Sequence, residues 1–401
     1  MEEAKLRDHR KIGPELRWFD IYQDDAGAGF VFYLENGYVL KRLIEDWELR
    51  EHKKRGYVTV QTPLMLDKKL FETSGHTDHY LANMYPVKKD DVEAFVKPMN
   101  CPGHMLVYKS QMHSYRELPI RMFEMGTVYR HEKTGALHGL LRVRGFTQDD
   151  AHIFCREEQL ADEIKGVLLF VKDAMALFGF TYTAELSTRP VTGYIGEIAT
   201  WDLAESVLLD ILKNGDVPYV INHGDGAFYG PKIDIKIKDA IGRSWQCATV
   251  QLDLNLPARF DLSYIAEDGS KKTPIMLHRV ILGSYERFIA CLIEHYKGAF
   301  PFWLSPVQVK VLALKSTCKE GAEAVAKMLE EKGYRVECDA REETLNKKIR
   351  EAELSRVPYI VIIGEQELAK NTVNVRTRGK KTLGEKTHDE LLALFEQEPR
   401  G

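Results

Sequence analysis

Between Pro301 and Pro306 the rhythm of this 401-residue chain changes, and that change limits what it can fold into. Two prolines and an aromatic pair, Phe302 and Trp303, end a long first part. The tail then alternates regularly. Its pattern predicts strands over 307–314, 334–338, 359–363 and 373–377, with helices over 322–332, 345–354 and 388–395. Strand–helix alternation over about 95 residues describes one small α/β domain. The first part reads differently. Leu40, Leu43, Ile44 and Trp47 recur at helical spacing, Gly56 stops that helix, and a β-branched run over 57–61 ends at Pro63. Strands are expected over 120–125, 141–147 and 151–155 around a polar loop at 133–139, and then over 232–238 and 244–252. Short strands around glycine-containing loops imply an antiparallel sheet. Helices are expected over 160–175 and 203–212, and a strand that turns into a helix after Gly283-Ser284 is expected over 274–295. The fold class is therefore α+β, followed by a smaller α/β domain.

Composition excludes several classes. Lys plus Arg total 56 against 60 Asp plus Glu, a net charge of −4, which does not describe a globally basic nucleic-acid binder. No apolar run approaches the roughly 20 residues of a membrane span. The opening Met1-Glu2-Glu3-Ala4-Lys5 has no apolar core of the kind a signal peptide carries. Six dispersed cysteines without a CxxC pair fit a reducing cytoplasm better than a disulfide scaffold.

Chemistry concentrates around 130–150. Arg130-His131-Glu132 leaves one predicted strand, and Arg142, Arg144 and Phe146 share a face of the next, because strand side chains alternate. Guanidinium forks match phosphate, and a ring offers a base a stacking surface. The same residues also fit an ordinary hairpin laced with surface ion pairs, and residue types alone leave both readings open.

The neighbourhood carries more. Gly56-Tyr57 through Thr62-Pro63, then Arg130-His131-Glu132, then Gly283-Ser284-Tyr285-Glu286-Arg287-Phe288 resemble motifs 1, 2 and 3 of the class II aminoacyl-tRNA synthetases, in order. Lys97-Pro98-Met99-Asn100-Cys101-Pro102-Gly103-His104, Arg142 through Cys155, Gly226 through Lys232, and Trp245-Gln246-Cys247 resemble the threonyl-tRNA synthetase family within that class. Arg7 through Gly13 resembles the entry to that family's catalytic domain. The resemblance covers nearly the whole chain. It implies a class II antiparallel sheet flanked by helices over residues 1–303 and an anticodon-binding domain over 304–401.

What the resemblance implies for individual residues follows. Cys101, His152 and His278 fall on the family's zinc positions; their spacing alone would not nominate them. Three protein ligands leave zinc an open position, and a site built around a substrate hydroxyl rejects the analogue lacking it by roughly 10⁴–10⁵-fold. Arg130 would touch the amino acid carboxylate and the α-phosphate of ATP, Glu132 the adenine amino group, and Phe146 the adenine ring. Arg142 and Arg287 would bind outer phosphates, with magnesium bridging phosphate oxygens. Ser284 would also face ATP, and Lys232 and Gln246 the adenylate. Met99, Gln148, Asp150, Tyr229 and Gln251 would line the threonine pocket. His76 would meet the tRNA terminus, although a loop-capping role fits it equally. Arg376, Arg378 and Glu367 would meet tRNA, and Lys370, Lys380 and Lys381 extend the basic run around the two arginines. Motif 1 implies a homodimer. The expected reaction is ATP-dependent activation of L-threonine, then transfer to the terminal adenosine of tRNA(Thr), in the cytoplasm. The chain opens at the catalytic entry, so no editing domain is expected in it, and the chain alone is expected to accumulate seryl-tRNA. Thr77, Ala248, Glu342, Asn346 and Ile198-Ala199-Thr200 depart from the family's usual residues. Two rivals remain: a catalytically silent synthetase-like RNA or protein binder, which would typically lose motif arginines or metal ligands, and a related synthetase for proline or serine.

Overall fold

The computed structural model describes residues 2–215, 217–238, 242–379, 381–399 and 401, with side chains from Lys5 onward. Lys380 of the basic run lies outside the described residues. The chain groups into two compact units, residues 21–31 with 45–291, and residues 1–20 with 32–44 and 292–401.

The first of these units is built on an eight-stranded sheet. Its spatial order is Tyr219–Asn222, Tyr182–Ser187, Lys232–Lys238, Ser244–Asp253, Ile275–Val280, Gly145–Cys155, Ile120–Tyr129 and Val58–Thr59. Neighbours run antiparallel except at the two edges, where Tyr219–Asn222 and Val58–Thr59 pair parallel to their neighbours. The longest pairing joins Ile120–Tyr129 to Gly145–Cys155, from Ile120 opposite Phe154 to Tyr129 opposite Gly145. Alternation divides the second of these strands. Phe146, Gln148, Asp150 and His152 point to one face, and Thr147, Asp149, Ala151 and Ile153 to the other. Residues 45–54 of the helix Glu35–Lys54 and the helix Leu160–Leu177 cover that other face. From them come His52, stacked on Phe123 at 3.7 Å between ring centroids, and Phe170, edge-on to His52 at 4.9 Å. One sheet face is thus packed support and the other is left for chemistry.

One expectation needs correction. The return strand does not begin at 141 and break before 151; it runs unbroken over Gly145–Cys155. Leu140, Leu141 and Val143 look like strand residues but are buried in the loop. That loop closes on itself through a pair of backbone bonds between His138 and Arg142, and Arg144 N–H donates to the Gly29 carbonyl at 2.8 Å. Arg142 and Arg144 therefore precede the strand and do not share a strand face with Phe146. The strand expected over 120–125 continues to Tyr129, and the strand Tyr182–Ser187 and the edge strand Tyr219–Asn222 beside it were not anticipated.

The second unit contains the expected alternation. Its five-stranded sheet has the order Val336–Asp339, Val309–Ala313, Tyr359–Ile363, Thr372–Thr377 and Thr382–Thr387, the first three parallel and the last two antiparallel additions. The run Tyr359-Ile360-Val361-Ile362-Ile363 is apolar throughout because helices lie on both faces. Tyr359, Val361 and Ile363 join a core with Val325, Leu329 and Phe395, while Ile360 and Ile362 pack with Ala352 and Val357.

Candidate active site and metal centre

The open sheet face brings together Cys101, His152 and His278. Cys101 begins the helix Cys101–Lys109. His152 and His278 are directly opposite each other on adjacent strands. One ligand atom from each lies within 4.8 Å of the others, and all three residues are buried.

Tautomers decide what this cluster can hold. His278 Nε2 is 2.8 Å from Asp253 Oδ2, so that nitrogen carries the proton and donates. His104 Nε2 is 3.0 Å from Glu124 Oε2 and donates likewise, leaving His104 Nδ1 to accept from His152 Nδ1 at 2.7 Å. With all three rings neutral, His152 Nε2 and His278 Nδ1, 2.9 Å apart, both present lone pairs. Burial pushes the Cys101 thiol well up and the His152 imidazole well down. Two facing lone pairs and a thiol that ionises only beside positive charge fit a soft-to-borderline divalent cation such as zinc. Carboxylates behind both imidazoles are the usual support of metal-bound histidine. Glu124 is held in turn by Lys97 Nζ at 2.9 Å and by the Thr62 N–H at 3.0 Å. Loss of such support is expected to weaken zinc about 10–100-fold. Glu124→Gln should show this in competition with a chromogenic chelator, and unchanged affinity would contradict the tautomer chain.

Next to this cluster lie the other pocket residues. Asp150 sits on the His152 face with Oδ1 4.0 Å from His152 Nδ1. The Tyr229 hydroxyl donates to Gln251 Oε1, and the Tyr229 ring lies 4.8 Å from that of His278. Gln251 is opposite His278 in the ladder, and Gln148 bridges to Ser284. His76 is buried, with Nδ1 2.7 Å from Ser74 Oγ and Nε2 3.1 Å from Met99 Sδ and 3.8 Å from Cys101 Sγ. Burial leads the causes that lower its pKa to about 4.

A second group of residues is cationic. Arg130 Nε donates to the Pro98 carbonyl at 3.0 Å, and its guanidinium lies over Phe146 at 5.1 Å and Tyr80 at 5.7 Å. Arg142 pairs with Glu132 at 2.9 Å. Arg287 donates to the Leu141 carbonyl at 3.1 Å and to the Gln246 carbonyl at 3.4 Å. Burial first, and then the charges of Arg130 and Arg142, hold its pKa down. Three guanidiniums that feel one another form a field suited to a polyphosphate. Lys232 Nζ, at 2.7 Å, and Gln246 Nε2, at 2.8 Å, converge on the Asp234 carboxylate.

The turn that carries Ser284 and Arg287 is anchored from behind the sheet. Asp149 accepts the N–H groups of Ile281, Leu282 and Gly283 at 2.5, 3.0 and 2.7 Å. Gly283 has φ +83°, and a Cβ there would stand 2.7 Å from the Cys247 carbonyl oxygen, so only glycine fits. Asp149→Asn turns one acceptor into a donor facing buried N–H groups. A loss of about 1–3 kcal/mol in that anchor is expected, read as a lower midpoint of thermal unfolding for the variant; an unchanged midpoint would contradict this role.

In the other unit, Arg376 NH2 lies 3.9 Å from Glu353. Arg378 donates to the carbonyls of Phe300 and Arg356 at 2.9 and 3.0 Å, and Glu367 accepts the Gly364 N–H at the start of its own helix. Arg378 and Glu367 thus both serve local structure. The sequence reading assigned no role to Lys97, Asn100, His104, Glu124, Asp149, Asp234 or Asp253. Only His104 left a readable signal, one helical turn after Cys101.

Comparison with known proteins places this geometry. Residues 85–296, more than half of the chain, match the family model described as tRNA synthetase class II core domain (G, H, P, S and T), and residues 308–398 match an anticodon binding domain. The crystal structure of the RNA binding domain of threonyl-tRNA synthetase from Cryptosporidium parvum superposes with TM-score 0.92 at 40% identity, covering 97% of this chain and 98% of that one. Prolyl-tRNA synthetase from Giardia lamblia, at 18% identity and TM-score 0.74 over 98% of this chain and 79% of that one, shares the fold. The threonine–tRNA ligase of Oleidesulfovibrio alaskensis is 54% identical over 98% of this chain and 61% of its own length; that of Pelobacter propionicus is 53% identical over 100% and 63%. The chain thus spans about three fifths of the length of these curated relatives. Sheet, arginines and matched core define a class II aminoacyl-tRNA synthetase. Within that class, the chain belongs to the threonyl-tRNA synthetase family. Among the described residues, no helix is long and apolar enough to cross a membrane.

Proposed function

We propose that this chain activates L-threonine with ATP and magnesium and transfers it to the terminal adenosine of tRNA(Thr). The observation that carries this reading is the pair of imidazole nitrogens, His152 Nε2 and His278 Nδ1, facing each other at 2.9 Å beside Cys101, with Asp150 on the same strand face as His152. Cys101, His152 and His278 would hold zinc, which would supply a Lewis acid for telling a ligand with a hydroxyl beside its amino group from one with a methyl there. Asp150 accepts the hydrogen bond of the substrate hydroxyl, while Gln148, Tyr229, Gln251 and Met99 enclose the amino acid. Arg130 fixes the carboxylate and the α-phosphate within reach of each other. Arg142 and Arg287 neutralise charge as pyrophosphate leaves, so positioning and electrostatics do the work without a protein nucleophile. Glu132, Phe146 and Ser284 orient the nucleotide, Lys232 and Gln246 meet the adenylate, and His76 meets the ribose of the arriving tRNA.

In this reading residues 1–303 are the catalytic domain and residues 304–401 the anticodon-binding domain, where Arg376, Arg378 and Glu367 lie. The working form is a cytoplasmic homodimer joined through motif 1. The exposed side chains of Val58, Leu64 and Met65 in and beside that motif support such an interface. Charging of unfractionated tRNA with labelled amino acids tests the proposal. ATP-dependent threonyl-tRNA is expected; attachment of proline alone, or of nothing, would refute it.

A further inference from the structure

One buried amide is used by nothing described so far. Asn100 immediately precedes the helix Cys101–Lys109, where asparagine normally caps with its side chain. It makes no such capping bond. Instead Asn100 Nδ2 donates to Asp150 Oδ2 at 2.9 Å, and the residue is fully buried. Its Oδ1 is buried without a protein partner. The amide rests on Gly126, in the strand Ile120–Tyr129, opposite Gln148. A Cβ on Gly126 would stand 2.3 Å from Asn100 Nδ2 and 2.4 Å from both Cγ and Oδ1. The amide therefore lies where a side chain at 126 would be.

We infer that Asn100, seated on Gly126, is the positioning residue that sets the carboxylate of Asp150 for recognition of the substrate hydroxyl. This rests on the reading of Asp150 as the hydroxyl acceptor. The terminal torsion of an aspartate is soft, and the nearest histidine nitrogen given to Asp150 is 4.0 Å away. A charge-assisted bond from Asn100 to one oxygen fixes the carboxylate plane and presents the other oxygen. Neither Asn100 nor Gly126 is among the three residues of the cluster, so on this inference discrimination between hydroxyl and methyl depends on residues outside it as well.

The test is pyrophosphate exchange by wild type, Asn100→Ala, Gly126→Ala and the double variant, with threonine and with valine. Zinc content is measured on each. Each single change is expected to lower the threonine-over-valine ratio of kcat/KM about 10- to 100-fold, with zinc content and ATP KM unchanged. The double variant is expected to lose no more than Asn100→Ala alone, because the methyl at 126 first meets the amide already removed. If Gly126→Ala does not fold, the double variant, freed of the clash, is expected to fold. An unchanged ratio in Asn100→Ala, a parallel fall for both amino acids, or losses that multiply in the double variant would overturn the inference and leave the proposed function standing. Wild type inert towards threonine would overturn both.

Discussion

Replacing Cys101 by alanine is expected to remove the zinc proposed for this site and most of the preference for threonine over valine. The two imidazoles alone are neutral donors, and the pocket then offers a β-hydroxyl only Asp150. Valine differs from threonine by a methyl in place of that hydroxyl. A purely apolar pocket separates near-isosteres by about 10–200-fold, whereas one that reads a hydroxyl reaches roughly 10⁴–10⁵-fold. The expected fall in the threonine-over-valine ratio therefore spans about two to three orders of magnitude. Elemental analysis of the purified variant and its exchange rates with both amino acids check it. Retained metal, or retained discrimination without metal, would contradict the ligand assignment.

Arg130 carries the second large effect. Its guanidinium is held by the Pro98 carbonyl and flanked by the rings of Phe146 and Tyr80, which fix its direction before any ligand arrives. Such preorganised charge is what stabilises a transition state that spreads negative charge over phosphate oxygens. Removing one preorganised donor typically lowers kcat about 10²–10³-fold. In its proposed role Arg130 faces two substrates, so Arg130→Ala is expected to lower kcat at the upper end of that range and to raise KM for both threonine and ATP. Arg130→Lys is expected to recover little, because a point charge cannot make the forked contact. Initial rates of exchange under varied threonine and ATP check this. A variant impaired towards ATP alone would contradict the dual role.

What could be read from the sequence follows the range of the interactions. The tail was readable because parallel strands covered on both faces leave unbroken apolar runs such as Tyr359 to Ile363. The loop before Gly145 was misread because Leu141 and Val143 alternate as a strand would, and only tertiary burial shows that they belong to a turn. The cluster at Cys101, His152 and His278 entered through resemblance; register then sets two of its members opposite each other. Asp253, Glu124 and His104 orient the rings through bonds that span 25, 20 and 48 residues of sequence, which no local pattern encodes. Asn100 and Gly126 show the same limit, since the absence of a side chain at 126 has meaning only once the amide lying on it is known. Arg378 and Glu367, which the family resemblance sets against tRNA, also bond backbone groups of their own unit: Arg378 the carbonyls of Phe300 and Arg356, and Glu367 the Gly364 N–H.

The central claim is that a metal-backed pocket selects its amino acid by a β-hydroxyl. Pyrophosphate exchange by the zinc-loaded chain with threonine, serine, valine and proline tests it most directly. The account predicts threonine first, serine behind by no more than about 200-fold, valine behind by roughly 10⁴-fold or more, and proline silent. Exchange with proline, or with valine as readily as with serine, would contradict it.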